Sequence, residues 1–466
     1  MNALNVFTSL SLFLALKVKK FQKNFHIHNN SLSSQWLSVC IDIILDTFDG
    51  ANPRFLNRGK KRRSVSTLSI PRASDRGVEW VDFKDGREMR FFDNILRAHF
   101  LSRPNRFLIQ CKWNGQTISA FLPNPGKLQE LLLLGHVIYL IREVKSPDRK
   151  THYTVVAVER DGHPIMLHTY RTNEVAKYLL QKGKLPGLKR VKIVQSEVRV
   201  GASRFDFLLK ENGKDILLEI KSCTLVGKKV AMFPDAVTER GTRHLKELAK
   251  LSEEGIKTII LFIVHWPFAR IFMPDYHTDL KFSQTLLQVR DKVKVLPVSV
   301  RWGQDLSLSK NIRVLQIPWD YLEKEAKDRG SYLLILGLKK KKNIHIGKLG
   351  KVSFRKGFYI YVGSAMANLS KRMERHRHLR KLHHWHIDEL RAVAEFHSVL
   401  AIRSSTRLEC EIAEAVSRIA EWNIPEFGSS DCSCKTHLFG MTDNPIHSES
   451  FQKLLQHFRM DRYSER

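Results

Sequence analysis

Two apolar segments of β-strand character flank a tight-turn sequence near the middle of the chain, between residues 203 and 221. The turn residues are Asn212 and Gly213, and Asn-Gly between apolar segments is typical of a two-residue type I′ turn. The pattern therefore predicts a β-hairpin whose register is set by its turn. Counting back from the turn places Asp206 opposite Glu219, on one face of the hairpin.

The segments around this hairpin alternate between helical and strand character. A helix is predicted over 172–182 with Thr172 as its N-cap, a strand over 191–200, a helix over 235–251 and a strand over 258–264. With the two hairpin strands, the order of elements is α-β-β-β-α-β. This order favours a mixed sheet with helices packed against it.

Several short strands separated by turn sequences precede this region. They are predicted over 106–113, 116–122, 137–142 and 153–159, and their spacing is typical of a small β-barrel. The OB-like barrel is the member of this class most often found beside nucleic-acid chemistry, although strand spacing alone does not single it out. We expect an OB-like barrel here.

A third unit of strands and helices follows the charged segment 324–329. Its strands are predicted over 332–338 and 358–362, and its helices over 369–380 and 407–421. The fold class predicted for the whole chain is α+β multidomain. The expected divisions are a poorly ordered basic extension at 1–88, an OB-like barrel at 89–165, a central α/β domain at 166–322, a third domain at 330–440 and a C-terminal tail at 441–466.

The charge of the chain narrows the class of partner. Its 466 residues include 78 Lys and Arg against 47 Asp and Glu, a formal net charge of +31. Such an excess favours a nucleic acid, because phosphate neutralisation dominates that kind of binding. We expect DNA as the partner, with RNA as the alternative. No membrane partner is expected, since the apolar run at 7–16 is too short to span a bilayer. The oligomeric state stays open.

Six cysteines in a chain of this length do not form a disulfide framework, and they predict a reducing, cytoplasmic location. Cys432, Cys434 and His437 are candidate Zn²⁺ ligands. The fourth ligand is open among Cys410, His383, His384 and His386. Because Cys-x-Cys is tighter than the usual two-residue spacing of structural zinc sites, a cluster of free thiols is the favoured interpretation.

The hairpin carries the candidate chemistry of the central domain. Two carboxylates that face each other on neighbouring strands repel, unless a divalent cation lies between them. Asp206 and Glu219 are therefore predicted ligands of Mg²⁺, which prefers hard oxygen ligands. Lys221 would orient an attacking water and lower its pKa, and Arg204, predicted opposite Lys221, would hold a phosphate oxygen. The spacing D-x₁₂-E-x-K within an αβββαβ order resembles the core of the PD-(D/E)xK nuclease superfamily.

Basic residues follow this hairpin on the next predicted helix. Arg240, Arg243 and His244 lie in the first turns of the helix over 235–251. With Arg204, they are predicted to contact the nucleic acid, because Lys, Arg and His side chains beside a phosphodiesterase site are suited to bind phosphates.

Five segments in order resemble the sugar fermentation stimulation protein A family. They are Asn105–Leu108, Leu122–Leu131, Gly201–Phe207, Leu218–Leu225 and Phe233–Gly241. The resemblance covers roughly residues 90–320. It implies an OB-like domain, a restriction-endonuclease-like domain and DNA binding without marked sequence preference. DNA cleavage is implied by the D-x₁₂-E-x-K motif. The alternatives are a non-catalytic DNA-binding regulator of sugar metabolism genes and an RNA-processing enzyme.

The third unit resembles the GIY-YIG nuclease superfamily. The matching features are Gly330–Tyr332 and Tyr361–Gly363 on two strands, followed by Arg372, His376 and Glu409. The first motif has serine where the superfamily's name has isoleucine. The resemblance implies that one of the two tyrosines assists the attacking water, that Arg372 stabilises the transition-state charge and that Glu409 holds a metal ion. It also suggests that His376 contacts the nucleic acid.

Overall fold

A computed structural model of the chain describes residues 89–143, 151–201, 203–379 and 382–464. The predicted basic extension, its apolar run and Cys40 lie outside the described residues. Within the described part of the chain, no helix is both long and apolar enough to cross a membrane. The described residues contain helices and strands in several separate sheets, so the predicted α+β multidomain class is confirmed.

The first domain is a five-stranded barrel with added strands. Strand β1 Met89–Arg90 precedes it and pairs with residues 307–308 of the second domain. The strands of the barrel domain are β2 Leu96–Asn105, β3 Leu108–Trp113, β4 Gln116–Phe121, β5 Val137–Arg142, β6 Tyr153–Arg160 and β7 His163–Met166. Strands β2, β3, β4, β6 and β5 pair in a closed ring, in which β4 and β6 run parallel. The OB-like barrel is confirmed. Strand β2 was not predicted, because Arg and His residues interrupt its apolar pattern.

The second domain is built on a six-stranded mixed sheet. Its elements are α1 Thr172–Gln181, β8 Lys192–Val200, β9 Ser203–Glu211, β10 Lys214–Cys223, β11 Leu225–Val226, β12 Val230–Phe233, α2 Glu239–Glu253, β13 Lys257–Val264, β14 Ile271–Pro274, α3 Leu280–Val289, β15 Lys294–Ser299, β16 Ser307–Leu308 and β17 Arg313–Val314. The sheet order is β17-β15-β13-β10-β9-β8. Strands β8, β9 and β10 are antiparallel neighbours, whereas β10, β13 and β15 run parallel.

The β9–β10 hairpin has the turn that the sequence predicts. Asn212 and Gly213 have φ values of 50° and 80°, and a type I′ turn requires positive φ at both positions. Glu211 pairs with Lys214, as predicted. The register of the hairpin therefore follows from its turn.

Two helix starts differ from their predictions. Thr172 is the first residue of α1 rather than its N-cap. Helix α2 begins at Glu239, not at Asp235, because the Thr238 side chain accepts a hydrogen bond from Gly241 N at 3.0 Å and caps the helix there. Asp279 accepts a hydrogen bond from Thr238 N at 2.8 Å, which holds this cap in place.

The third domain contains a five-stranded sheet with apolar cores on both faces. Its elements, with the helix that precedes them, are α4 Trp319–Glu325, β18 Gly330–Leu338, β19 Lys342–His345, β20 Lys351–Phe354, β21 Gly357–Ala365, α5 Leu369–Arg375, α6 His386–Val393, β22 Glu395–Arg403, α7 Glu409–Ser417, β23 Trp422–Asn423, β24 Leu438–Met441, α8 Glu449–Gln456 and α9 Arg462–Ser464. The sheet order is β22-β18-β21-β24-β23. Strand β18 is buried along its whole length because both faces are covered.

The segment predicted as a C-terminal tail is a packed part of this domain. Phe451 and Leu455 of α8 lie in the same core cluster as Ile412 and Val416 of α7. Ser448 caps α8 by accepting a hydrogen bond from Phe451 N at 3.4 Å. The prediction of a tail is corrected, because the apolar residues of α8 recur at helical spacing on one face.

Candidate functional site

Asp206 lies where strands β9 and β10 stop pairing. The last pair of their ladder is Phe207 with Leu218. Beyond that pair, Asp206 Oδ2 accepts a hydrogen bond from Ile220 N at 2.6 Å, and its Oδ1 accepts one from Asn173 Nδ2, in the first turn of α1, at 2.8 Å. The Asp206 carboxylate thus accepts the hydrogen bond that a backbone carbonyl would accept in a continued ladder. This bond holds the carboxylate at the fork, the point where β9 and β10 separate.

Glu219, on the neighbouring strand, has one bonded and one unbonded oxygen. Its Oε1 accepts hydrogen bonds from Lys221 Nζ and from His244 Nδ1, the latter at 2.6 Å. Arg240 Nε donates to His244 Nε2 at 3.4 Å, so Nδ1 is the ring nitrogen that carries the proton toward Glu219. The other carboxylate oxygen, Glu219 Oε2, is buried, and among the described residues no donor bonds to it.

The two carboxyl groups influence each other's ionisation. Burial raises the pKa of Asp206, and the negative charge of Glu219 raises it further. Burial also acts to raise the pKa of Glu219, but Lys221 and His244 outweigh it and hold that pKa below its usual value. A cation beside the unbonded oxygen of Glu219 would relieve the repulsion and favour ionised Asp206. The donor set therefore fits a hard divalent ion.

The predicted pairings of Asp206 with Glu219 and of Arg204 with Lys221 are corrected, because the described ladder between β9 and β10 ends at Phe207 and Leu218. Arg204 instead pairs with Arg199 of β8, and its Nη1 lies 3.5 Å from Glu197 Oε2. Its side chain is half exposed, with 50% of its surface accessible. Arg204 therefore lies on the surface of the antiparallel edge of the sheet.

The three basic residues predicted on α2 fall into two environments. Arg240 and Arg243 are exposed. His244 is buried and bonded to Glu219. Its predicted contact with nucleic acid is corrected, because a buried imidazole between α2 and β10 cannot reach a phosphate. The contact of His244 with Glu219 was not predicted, because it joins residues that are 25 positions apart in the sequence.

The tyrosines of the third domain come together on its central strands. Strands β18 and β21 are antiparallel, and Tyr332 pairs with Gly363. The ring of Tyr332 occupies the space where a Cβ of Gly363 would lie, 2.5 Å from that position. The ring centroids of Tyr332 and Tyr361 are 6.3 Å apart. A glycine at position 363 is thus required by the packing of the first tyrosine.

Arg372 and Glu409 approach the same region from two helices. Arg372 Nη1 donates to Ser364 O at 3.2 Å, and its guanidinium carbon lies 4.6 Å from the ring centroid of Trp385. The Ser364 hydroxyl donates to Glu409 Oε2. Burial acts to raise the pKa of Glu409, but the nearby His437 imidazole and the hydrogen bond from Ser364 hold that pKa below its usual value. Glu409 is therefore an ionised carboxylate close to the arginine.

His376 is the second histidine whose predicted role is corrected. It is buried, and its Nε2 lies 2.8 Å from the Tyr332 hydroxyl. A direct contact with nucleic acid is excluded by this burial. Burial also raises the pKa of Tyr332 and of Tyr361, so both hydroxyls keep their protons at neutral pH.

A third group of side chains adjoins Glu409. One ligand atom from each of Cys410, Cys432, Cys434 and His437 lies within 4.8 Å of all the others. Of the four residues considered as the fourth member, the structure brings Cys410 to this group. His383 is bonded elsewhere, with its Nδ1 2.9 Å from Glu389 Oε1. Cys111 and Cys223 lie apart from this group as buried thiols.

Three family models match successive parts of the chain. The SfsA N-terminal OB domain matches residues 101–167, and the sugar fermentation stimulation protein RE domain matches residues 170–305. A domain of unknown function, DUF123, matches residues 331–460. The three matches correspond to the barrel, the mixed-sheet domain and the third domain.

Two relatives are similar to the first two domains. The sugar fermentation stimulation protein homolog of Methanothermobacter thermautotrophicus is 35% identical over 209 residues, which are 45% of this chain and 87% of the relative. The homolog of Moorella thermoacetica is 42% identical over 194 residues, 41% of this chain and 84% of the relative. The solved structure of Pyrococcus furiosus SfsA in complex with Ca²⁺ aligns at 27% identity and a TM-score of 0.46, over 50% of this chain and 99% of that chain.

Proposed function

The chain belongs to the sugar fermentation stimulation protein family, and on that premise we propose that its second domain is a DNA-binding, Mg²⁺-dependent nuclease of the PD-(D/E)xK type. The observation that carries the proposal is the pair of carboxylates at the fork between β9 and β10. A pure binding protein gains nothing from Asp206 and Glu219 side by side, because their repulsion only destabilises the fold.

Asp206 and Glu219 are the residues that would hold the ion. When bound, Mg²⁺ supplies polarisation of a phosphate oxygen and a lowered pKa for a bound water. Lys221 stays beside Glu219, where its ammonium group can donate a hydrogen bond to the attacking water and balance negative charge. His244 orients Glu219 from the opposite side, so the chain holds this carboxylate at a defined position before substrate arrives.

The basic surface around this centre suits a phosphate backbone. Arg204, Arg240 and Arg243 are exposed on β9 and α2. Contacts from arginine to phosphates position a duplex without reading its sequence, which supports DNA binding without marked sequence preference. The five described cysteines form no disulfide, which supports a reducing, cytoplasmic location.

The third domain supports a second candidate centre of GIY-YIG type. Tyr332 and Tyr361 present hydroxyls near Arg372, and Glu409 is held ionised beside them by Ser364. In this arrangement a tyrosine would orient the attacking water, Arg372 would stabilise charge on the phosphate, and Glu409 is the residue that would hold a metal ion. His376 positions Tyr332 through their hydrogen bond.

A cleavage assay on the full chain tests the proposal. Plasmid, linear and single-stranded DNA and RNA are incubated with the protein in Mg²⁺, Mn²⁺ or EDTA. We expect DNA cleavage in the presence of metal only. Asp206→Ala and Glu409→Ala, assayed in parallel, identify the working centre, since only the variant of that centre loses cleavage. Glu211→Gln, a carboxylate at the other end of the same hairpin, is the matched control.

Two outcomes would favour the rival functions. Binding of DNA without metal-dependent cleavage of any substrate would indicate a non-catalytic regulator of sugar metabolism genes. Cleavage confined to RNA would indicate an RNA-processing enzyme.

The pH dependence of cleavage follows from the raised pKa of Asp206. Metal binding needs the ionised carboxylate, so we expect the rate at limiting Mg²⁺ to fall on acidification, at a pH above the ordinary value of 3.8 for Asp. Saturating Mg²⁺ should shift this fall to lower pH, because the ion competes with the proton. Rates measured across pH at two Mg²⁺ concentrations, with circular dichroism to verify folding, check this. A fall of the cleavage rate at the same pH at both Mg²⁺ concentrations would contradict this expectation.

A further inference from the structure

Four metal-binding side chains of the third domain converge on one point. Cys432 Sγ lies 3.5 Å from His437 Nε2. Bond lengths to zinc of about 2.3 Å for sulfur and 2.0 Å for nitrogen separate an S and an N ligand by roughly 3.5 Å around a tetrahedral ion. The distance between Cys432 and His437 therefore matches the spacing of two ligands around zinc.

The ligands come from two separate parts of the fold. Cys410 is the second residue of α7, whereas Cys432, Cys434 and His437 belong to the segment between β23 and β24. The tight Cys-x-Cys spacing argues against a zinc site only where all four ligands come as two closely spaced pairs, as in many structural zinc sites. The remaining ligands are His437, directly before β24, and Cys410 of α7. Because the fold brings them to Cys432 and Cys434, the close spacing of these two cysteines does not argue against a zinc site.

A zinc ion would add a cross-link to the connection between β23 and β24. Residues 424–437 contain turns and no helix or strand, although they lie beside the centre of the sheet. Long connections without secondary structure are uncommon in compact domains unless something orders them. Three thiols contribute little to ordering by themselves, because S–H groups are weak hydrogen-bond donors.

His437 is oriented as a zinc-binding histidine. Its ring is buried, its Nε2 faces Cys432, and its Nδ1 lies 3.5 Å from Glu409 Oε1. Histidines that bind metals commonly donate their other ring nitrogen to a carboxylate, which fixes the tautomer. The backbone of His437 is held on both sides, donating to Phe427 O and accepting from Val362 N, each at 2.9 Å.

We propose that Cys410, Cys432, Cys434 and His437 bind one structural Zn²⁺ ion. Four protein ligands close the coordination shell, which is the arrangement of structural rather than catalytic zinc. The ion ties the connection before β24 to α7. Through His437 it also holds Glu409 in place beside Ser364. The zinc site stands on these four ligands and does not depend on nuclease activity.

Metal content is the first test. The full chain, produced in zinc-supplemented medium and dialysed, is expected to contain one zinc per chain by elemental analysis. With Co²⁺ in place of zinc, it should show thiolate-to-cobalt charge-transfer bands and the visible bands of tetrahedral cobalt. A chain without bound metal and without these bands would overturn the proposal.

Variants separate this site from general thiol effects. Cys432→Ser with Cys434→Ser is expected to lose the bound zinc, while Cys111→Ser, a buried thiol of the barrel, should keep it. Should the double variant fail to fold, Cys410→Ser serves, because its side chain is exposed and its loss should weaken zinc binding at least tenfold without loss of folding. Equal zinc loss in Cys111→Ser would overturn the proposal.

Removal of the metal gives a readout that is independent of any activity. A strong chelator is expected to lower the Tm of the unmodified chain and of Cys111→Ser, but not that of zinc-free Cys410→Ser. An unchanged Tm of the unmodified chain after complete removal of zinc would contradict a structural role.

Discussion

Replacing Asp206 by Asn is expected to abolish metal-dependent cleavage while leaving the metal-free chain at least as stable as the unmodified one. Burial and the charge of Glu219 both raise the pKa of Asp206, which means that its ionisation costs folding free energy. The amide removes that cost and keeps an acceptor for Ile220 N. It also removes a hard oxygen ligand, so we expect cleavage to fall by roughly 10²–10³-fold or more.

Glu219→Gln should lose cleavage too, but with the opposite effect on stability. Glu219 holds the ammonium group of Lys221, whose side chain is only 16% exposed, and it accepts the proton of His244 Nδ1. An amide leaves Lys221 without its anion, and breaking a buried ion pair of this kind costs about 3–5 kcal/mol. We expect the free energy of unfolding in EDTA to fall by about 3 kcal/mol. This value is the lower end of the range, because part of the Lys221 side chain reaches solvent.

Denaturant unfolding in EDTA, alongside the cleavage assay, measures both effects. Glu211→Gln is the control, because this carboxylate lies at the turn end of the hairpin, 3.3 Å from Lys257, and is more exposed. It should change the free energy of unfolding by no more than about 0.5 kcal/mol and leave cleavage intact. A marked loss of stability in Asp206→Asn would show that its carboxylate is a structural group rather than a functional one.

Arg403→Met is expected to weaken the packing of the third domain against the second. Arg403 is buried at the end of β22, its backbone N donates to His277 Nδ1 at 2.9 Å, and its guanidinium donates to the carbonyls of Tyr276 and His277. It also donates to Ser370 Oγ at 2.9 Å. Removing it leaves buried carbonyls without a donor, a loss of about 3–5 kcal/mol.

The expected signature of this loss is unfolding in two transitions and faster proteolysis near residues 324–329, between the two domains. Arg418→Met is the matched control. Its guanidinium pairs with Glu414 on the surface of α7, and its side chain is 71% exposed. Such a change should alter the free energy of unfolding by less than about 0.5 kcal/mol. A single transition at unchanged stability in Arg403→Met would contradict the expectation.

Local chemistry made the hairpin predictable. Positive φ at both turn positions is rare outside Asn and Gly, so Asn212 and Gly213 determine the turn without help from the rest of the fold. The turn sets the register as far as Phe207 and Leu218, so Asp206 and Glu219 are the next residues beyond the paired ladder on the two strands. The same holds for the barrel strands that alternate between apolar and polar residues. The apolar residues of helix α8 recur at helical spacing. The segment predicted as a tail therefore also carried a local pattern that predicts a helix.

Burial of single polar residues was not predictable in this way. His244 lies on a basic helix and His376 directly follows one, and helical spacing alone places both among basic residues. Which face of a helix is covered depends on what packs against it. Strand β10 brings Glu219 to His244, and strand β18 brings Tyr332 to His376. Both contacts join residues far apart in the sequence, so no local pattern reveals them.

The central hairpin shows what the sequence by itself determined, namely a turn, a register and two carboxylates at one end of two strands. Only the tertiary structure decided how those carboxylates ionise, because the pKa of each depends on burial and on Lys221 and His244 around them. It likewise selected Cys410 from four candidates to complete the cysteine group. Turns depend on neighbours in sequence, whereas charge burial and ligand sets depend on neighbours in space.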